Sequence, residues 1–221
     1  MALNYILAIA PTVVLIIIVL SADKYQKEPI GLLVLLFLAG MITVIPAMIL
    51  EQVYSALFGS LNGYIALFFE VFVGVALIEE LVKYVAVKLI AYKRNSFDEI
   101  YDGIIYSVMV SLGFATVENI LYVTSYGLNT AIVRAITAVP AHAMFAVTMG
   151  YFMGLSKAFI NKKSFYNLMS FIAPVIVHGI YDFILFMNFD WALFVFVPYL
   201  IFLYYRSAKL IKSTYNQAPF K

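Results

Sequence analysis

Seven runs of mostly apolar residues divide this chain, most of them about twenty residues long, the length that crosses a bilayer core as a helix. They run roughly Leu3–Leu20, Ile30–Leu50, Ile65–Ala91, Ile100–Val123, Ala131–Leu155, Phe165–Met187 and Trp191–Tyr205. The third is over-long and the seventh short. In lipid every backbone polar group needs an internal partner, so only helices and closed barrels can span. Val13–Leu20 and Leu32–Leu38 are apolar all round, without the alternation a barrel strand requires. Of the 221 residues, 65% are hydrophobic and 12% charged, which leaves no material for a soluble domain of any size. The expected fold class is therefore an all-α integral membrane protein, a polytopic bundle of about seven transmembrane helices forming one domain over residues 1–221. The first run has no basic n-region and no small-residue cleavage site, so it is expected to stay as a helix.

The charges test this count. Twelve of the fourteen basic residues fall in alternate connections: Lys24 and Lys27; Lys88, Lys93 and Arg94; Lys157, Lys162 and Lys163; and Arg206, Lys209, Lys212 and Lys221 in the tail. The other connections, Glu51–Gly63, Thr124–Thr130 and Asn188–Asp190, hold none. By the positive-inside rule the N-terminus is expected outside and the C-terminus in the cytoplasm. A net charge of +2 is too small to argue for nucleic acid, so the bilayer is the expected partner and nucleic acid is not. The absence of cysteine excludes a disulfide scaffold, a thiol nucleophile and any cysteine-based metal or redox site.

Ionisable groups inside a span cost several kcal/mol and are functional candidates by default. Glu70 and Asp102 sit near span ends, in reach of the interface. The core set is Glu79, Glu80, Lys83, Glu118, His142, His178 and Asp182; the remaining basic residue, Arg134, lies near the outer end of the fifth span. At about 1.5 Å of rise per residue, Glu80 lies about 17 Å above the cytoplasmic end of its span, His142 and His178 about 20 Å, and Glu118 about 27 Å. Four helices thus bring polar groups to similar heights, which favours a site over scattered structural polarity. Lys83 follows Glu79 by four residues and Glu80 by three, so it shares a helix face with both carboxylates. His178 and Asp182 are four apart, the arrangement in which a carboxylate fixes one imidazole nitrogen and aims the other at substrate or water.

Plainer readings attach to each group. Glu79 and Lys83 also suit a helix-locking ion pair, although Glu80 has no structural use beside it. His178–Asp182 suits a helix-to-helix hydrogen bond. His142 follows Pro140 and suits the carbonyl that a proline kink frees. Glu118–Asn119 suits packing glue between membrane helices, and Gly113, Gly150, Gly154 and Gly179 suit close helix approach. Tyr25, Tyr92, Tyr204 and Tyr205 suit interfacial belts.

The motifs, in order, are Glu79-Glu80-Leu81-Val82-Lys83, the stretch FDEIYDGIIYSVMVSLGFATVENILY over 97–122, VRAITAVPAHAMFAVTMGYFMG around His142, HGIYDF around His178 and Asp182, and an earlier DKYQKEP. This ordered set, from Asp23 to about Phe183, resembles the PrsW family of bacterial membrane proteases, related to the type II CAAX prenyl endopeptidases and the wider Abi group. The resemblance implies a glutamate-dependent intramembrane endopeptidase of the cell membrane that acts in regulated intramembrane proteolysis and the stress response. Such a protein makes the extracytoplasmic, site-1 cut in a membrane-anchored anti-sigma factor, and a site-2 protease then acts on the product. Carried over by position, the glutamate pair and the histidine of HxxxD are the essential groups. CAAX relatives place histidine at Glu118 and asparagine at Asp182, so their prenyl specificity does not transfer.

The expected mechanism uses no cofactor or metal. Glu79 or Glu80 acts as general base on water, with Lys83 supplying the balancing charge, and then returns the proton to the leaving amine. His178, oriented by Asp182, donates to the oxyanion, while Glu118 and His142 hold the water or complete the proton path. Four readings compete. Two histidines and several glutamates suit a zinc metalloprotease of His₂Glu type, although no HExxH occurs. A proton-coupled transporter uses similar groups, but no repeated halves are visible. A rhodopsin-like receptor lacks its lysine in Trp191–Tyr205. The last is a non-catalytic binding role. One tension concerns depth: an outside cut calls for a site higher than the midplane estimate for Glu80.

Overall fold

A computed structural model describes residues 2–23, 27–59, 62–187, 189 and 191–214. Lys24, Tyr25, Asn188, Asp190 and Lys221, which figured in the charge and belt readings, lie outside the described residues. Every regular element among the described residues is helical: α1 (Ala2–Ala22), α2 (Ile30–Phe58), α3 (Tyr64–Phe69), a π-helical segment (Glu70–Leu77), α4 (Ile78–Ile90), α5 (Ile100–Tyr126), α6 (Leu128–Ile136), α7 (Ala138–Ala158), a 3₁₀ turn (Ile160–Lys162), α8 (Lys163–Phe186) and α9 (Ala192–Thr214). The all-α polytopic expectation holds. Six of these helical stretches are long and apolar enough to cross a membrane, with α6 and α7 counted together. The seventh is the path from Tyr64 to Ile90, of membrane length but built from three pieces and carrying Glu70, Glu79, Glu80, Lys83 and Lys88.

Three boundaries differ from the apolar runs, each for a physical reason. Helix α2 continues eight residues past Leu50, so Glu51 is inside a helix and not in a loop. Helix α9 continues past Tyr205 through Arg206, Lys209 and Lys212, since an apolar run ends where charge begins but a helix need not. The fifth span breaks at Thr137 (φ −118°, ψ −77°), where α6 gives way to α7. Pro140 falls in the first turn of α7, where a missing N–H costs nothing that the helix start would otherwise satisfy.

Helix α5 is the buried centre, packed between α7, α2 and α1. Its crossing with α7 depends on missing side chains. A Cβ on Gly103 would meet the carbonyl of Gly150, one on Gly150 would meet that of Gly103, and one on Gly154 would sit 2.6 Å from the Ile100 oxygen. Gly40 and Gly113 do the same at the α2–α5 crossing, against Val110 and Phe37. Gly179 instead makes room for the Phe72 ring. Small residues of this kind let membrane helices gain dispersion contact where no hydrophobic drive exists between them. Val14, Ile18, Phe194, Ile201 and Tyr205 on α1 and α9 are exposed, as lipid-facing surfaces are. Gly150→Ala is expected to destabilise the bundle by about 1–3 kcal/mol through overpacking. Gly31→Ala, with nothing within 4 Å of the new atom, is expected to be neutral. Thermal unfolding in detergent compares the two, and equal melting temperatures would show that the crossing tolerates a methyl group.

At the end carrying Lys93, Arg94, Lys162 and Lys163, polar ties replace apolar contact. Tyr106 donates its hydroxyl hydrogen to Glu28, and Tyr101 donates to the Val19 carbonyl at 2.7 Å. Asp102 does not reach an interface; it is 2% exposed and accepts from the Asp98 and Glu99 N–H groups at 2.8 and 2.6 Å, capping α5.

Candidate active site

Helix α4 opens with Ile78-Glu79-Glu80, directly below the π-helical segment. Wide π turns are uncommon and concentrate at functional sites. The three charged groups of α4 meet in one place. The Lys83 ammonium, 1% exposed, donates to Glu79 Oε2 at 2.9 Å, to Glu80 Oε1 at 3.0 Å and to His142 Nδ1 at 3.2 Å. These contacts use all three of its protons, and the Phe114 ring lies beneath it at 4.2 Å.

An ammonium has no lone pair to offer, so His142 Nδ1 must be the acceptor and the ring proton sits on Nε2. That N–H points at Glu118 Oε2, 2.8 Å away. Glu118 also pairs with Arg134 Nη2 at 3.0 Å. Arg134 in turn donates Nε–H to Asn119 Oδ1 at 2.9 Å and lies 4.0 Å over the Tyr122 ring.

The other wing is built on α8. His178 Nδ1 lies 3.1 Å from Glu80 Oε1, and Nε2 lies 3.2 Å from Asp182 Oδ2. Both ring nitrogens face carboxylates, an arrangement fully satisfied by an imidazolium with a proton on each. Phe145 stacks on the ring at a centroid distance of 4.6 Å and fixes its plane. The second imidazole nitrogen, expected from the i,i+4 spacing to aim at substrate, aims at Glu80 instead.

All seven residues singled out in the sequence therefore belong to one continuous network, from Asp182 through His178, Glu80, Lys83, Glu79 and His142 to Glu118. His142 contacts side chains and not a carbonyl freed by Pro140. Glu118 and Asn119 separate: Glu118 joins the network, whereas Asn119 is glue that donates to the Ala8 carbonyl at 2.8 Å. Arg134 was not among the seven, although a cation stranded far from the other basic residues was a signal that it needed a buried carboxylate.

A cavity of about 610 Å³ opens onto this network, within the range of small-molecule and peptide sites. Glu79, Glu118, His142, His178, Asp182 and Arg134 line it among apolar side chains. Glu80 and Lys83 do not line it, and Glu80 is wholly buried. The two glutamates are thus unequal, with Glu79 reaching the cavity and Glu80 held behind it by Lys83 and His178. Around the cavity Tyr122, Val133, Leu185, Phe186 and Leu193 are exposed. They lie late in α5, in α6, late in α8 and early in α9, at the end of the bundle away from Lys93, Arg94, Lys162 and Lys163.

Glu79, Glu80 and His178 also form a donor set, with one ligand atom from each within 4.8 Å of the others. Glu80 Oε2 is buried without a hydrogen-bond partner.

Residues 28–205 match the model of a family described as PrsW family intramembrane metalloprotease. Over 211 residues the chain is 37% identical to the Protease PrsW of Geobacillus kaustophilus, covering 95% of this chain and 91% of that one. It is 37% identical over 206 residues to the Protease PrsW of Clostridioides difficile, covering 90% and 86%. It is 35% identical over 209 residues to the Protease PrsW of Bacillus subtilis, covering 93% and 94%. No solved structure matches the chain.

Proposed function

The chain belongs to the PrsW family of intramembrane proteases, and on that premise we propose that it makes the extracytoplasmic-side cut in a single-span, membrane-anchored anti-sigma factor. It is a peptidase and a multi-pass bacterial membrane protein. The observation that carries the finer reading is that Glu79, His178 and Asp182 line one cavity whose mouth lies at the end away from the lysine-rich loops. The substrate's identity, and a site-2 protease acting on the product, rest on the family resemblance.

In this reading Glu79 takes a proton from a water in the cavity, and the water oxygen attacks the scissile carbonyl carbon. Lys83 is a fixed countercharge that stays with the carboxylate pair before and after the transfer. The developing oxyanion needs a donor aimed at it in advance. His178 Nε2–H fills that role by passing from Asp182, its cavity-side partner, to the substrate oxygen. The tetrahedral intermediate then collapses as the proton held on Glu79 moves to the leaving amine, giving a carboxylic acid, which keeps the water's other proton, and an amine. Glu80 keeps Lys83 and His178 in register without touching substrate. His142, with its tautomer fixed by Lys83, and Glu118, fixed by Arg134, form the opposite wall.

A second reading has a specific observation behind it. The family description names a metal, and two carboxylates with one imidazole are a donor set that zinc accepts. The unpartnered Glu80 Oε2 is a spare ligand atom, so the residues fit. Glu79, Glu80 and His178 would hold the ion, which would supply Lewis-acid polarisation and a more acidic bound water. Against this stands Lys83, already within 3.0 Å of both carboxylates, a cation the chain itself provides. Purified protein with a single-span substrate, assayed by mass spectrometry of fragments with and without EDTA, separates the two. Cleavage is expected to persist in EDTA; loss with EDTA and recovery with zinc would establish the metal reading.

A further inference from the structure

A second and smaller opening meets the catalytic cavity at Glu51 and Val75, which line both. It is a groove of about 170 Å³ between α2 and the α3–π path, and its other walls include Tyr54, Ser55, Glu70 and Gly74. Glu70 lies six residues into its path from Tyr64 and Glu51 seven residues before Phe58. At about 1.5 Å per residue both carboxylates sit about 10 Å inside the helix ends. Among the described residues neither has an ion-pair partner, and an unpaired carboxylate at membrane depth is costly unless water reaches it. Glycine at 74 makes room for the Tyr54 ring in the groove wall, since a Cβ there would lie 2.5 Å from that ring.

Peptide hydrolysis consumes one water for each bond: its oxygen ends in the new carboxylate, and its protons pass to the carboxyl group and the leaving amine. The main mouth is rimmed by exposed apolar side chains, and a bound peptide segment would fill it. From this we infer that the groove is a dedicated water inlet, along which water passes Glu70 and Ser55 to Glu51 and on to Glu79 while the substrate occupies the mouth. The inference rests on the peptidase reading of the main cavity. Glu51 is a positioning residue in it, holding water in file without touching the reacting atoms.

The chain has no cysteine, so single cysteines can be placed without background. Ser55→Cys, Val75→Cys and Val53→Cys are compared in detergent using a charged methanethiosulfonate; Val53 is 51% exposed and lines neither opening. Charged reagent reaches only hydrated thiols, so the first two are expected to react at least about tenfold faster than the third. Glu51→Leu is expected to lower kcat about tenfold or more with KM for the peptide unchanged, as misplacement of one reactant does, while Glu51→Gln retains most of the rate. Reaction of Ser55→Cys and Val75→Cys as slow as that of Val53→Cys means a dry groove and overturns the inference, whatever the proteolysis assay shows. Full turnover by Glu51→Leu also overturns it, because water then arrives elsewhere. Labelling needs no substrate, so rapid labelling with no cleavage by any form of the protein marks the failure of the peptidase reading, and the inlet falls with it.

Discussion

Glu79→Gln is expected to abolish cleavage, lowering kcat by about 10²–10⁴-fold, the usual contribution of a positioned general base. The amide keeps the shape of the side chain and an oxygen for Lys83, which still has Glu80 at 3.0 Å, so the bundle is expected to remain folded. The proton acceptor facing the cavity is then lost while the surrounding hydrogen bonds survive. Glu80→Gln serves as the comparison. Glu80 touches no part of the cavity, and its charge acts through Lys83 and His178. Its loss is expected to leave measurable residual cleavage with a shifted pH profile, because the protonation of His178 loses one of its two carboxylate partners. Mass spectrometry of the fragments over a pH series reads both variants. Undiminished cleavage by Glu79→Gln, or a deeper loss in Glu80→Gln than in Glu79→Gln, would transfer the base role away from Glu79.

The part of this site that was legible in the sequence follows from what a membrane makes expensive. Seven ionisable residues inside apolar runs stood out because each costs free energy that only a partner or a function can offset, and all seven meet in the folded chain. Spacing alone paired Lys83 with both glutamates, and His178 with Asp182. Spacing could not separate Glu79 from Glu80. That difference depends on which face of α4 turns towards α8, a matter settled by the π turns above it and by Phe72 packing on Gly179. Nor could it show that His178 lies between two carboxylates, since Glu80 is 98 residues away in the chain.

Glu51 was missed for a different reason. An apolar run ends at the first charge, so Glu51 read as the start of a loop, yet α2 continues to Phe58 and its Glu51 lines the groove beside α3. Arg134, read as lying near the outer end of its span, was left without a role until Glu118 appeared 3.0 Å away. Both omissions concern polar residues towards the ends of spans, where hydropathy cannot tell an exit from the bilayer from a cavity within the protein. The glycines fared better: Gly113, Gly150 and Gly154 lie at backbone-to-backbone crossings, as small residues in apolar helices are expected to.

Lys83→Met is expected to cost about 3–5 kcal/mol of stability, the usual effect of removing one partner from a buried charge cluster, and to eliminate activity with it. Methionine matches the lysine stem in length, so packing is nearly conserved and the missing charge dominates. Glu79 and Glu80 would then repel across a water-poor space, and His142 Nδ1 would lose its donor. The double variant Lys83→Met/Glu80→Gln removes one negative charge together with the positive one. Groups in direct contact show coupling, so the double variant is expected to be more stable than the single one by at least about 1 kcal/mol. Its cleavage should nonetheless stay absent, because Glu79 lacks its countercharge and His178 has lost a carboxylate partner. Thermal unfolding in detergent reads the first difference and fragment analysis the second. Equal melting temperatures for the single and double variants would mean that Lys83 does not balance Glu80. Restored cleavage in the double variant would mean that the lysine serves the fold alone, and the base would then operate without a fixed cation beside it.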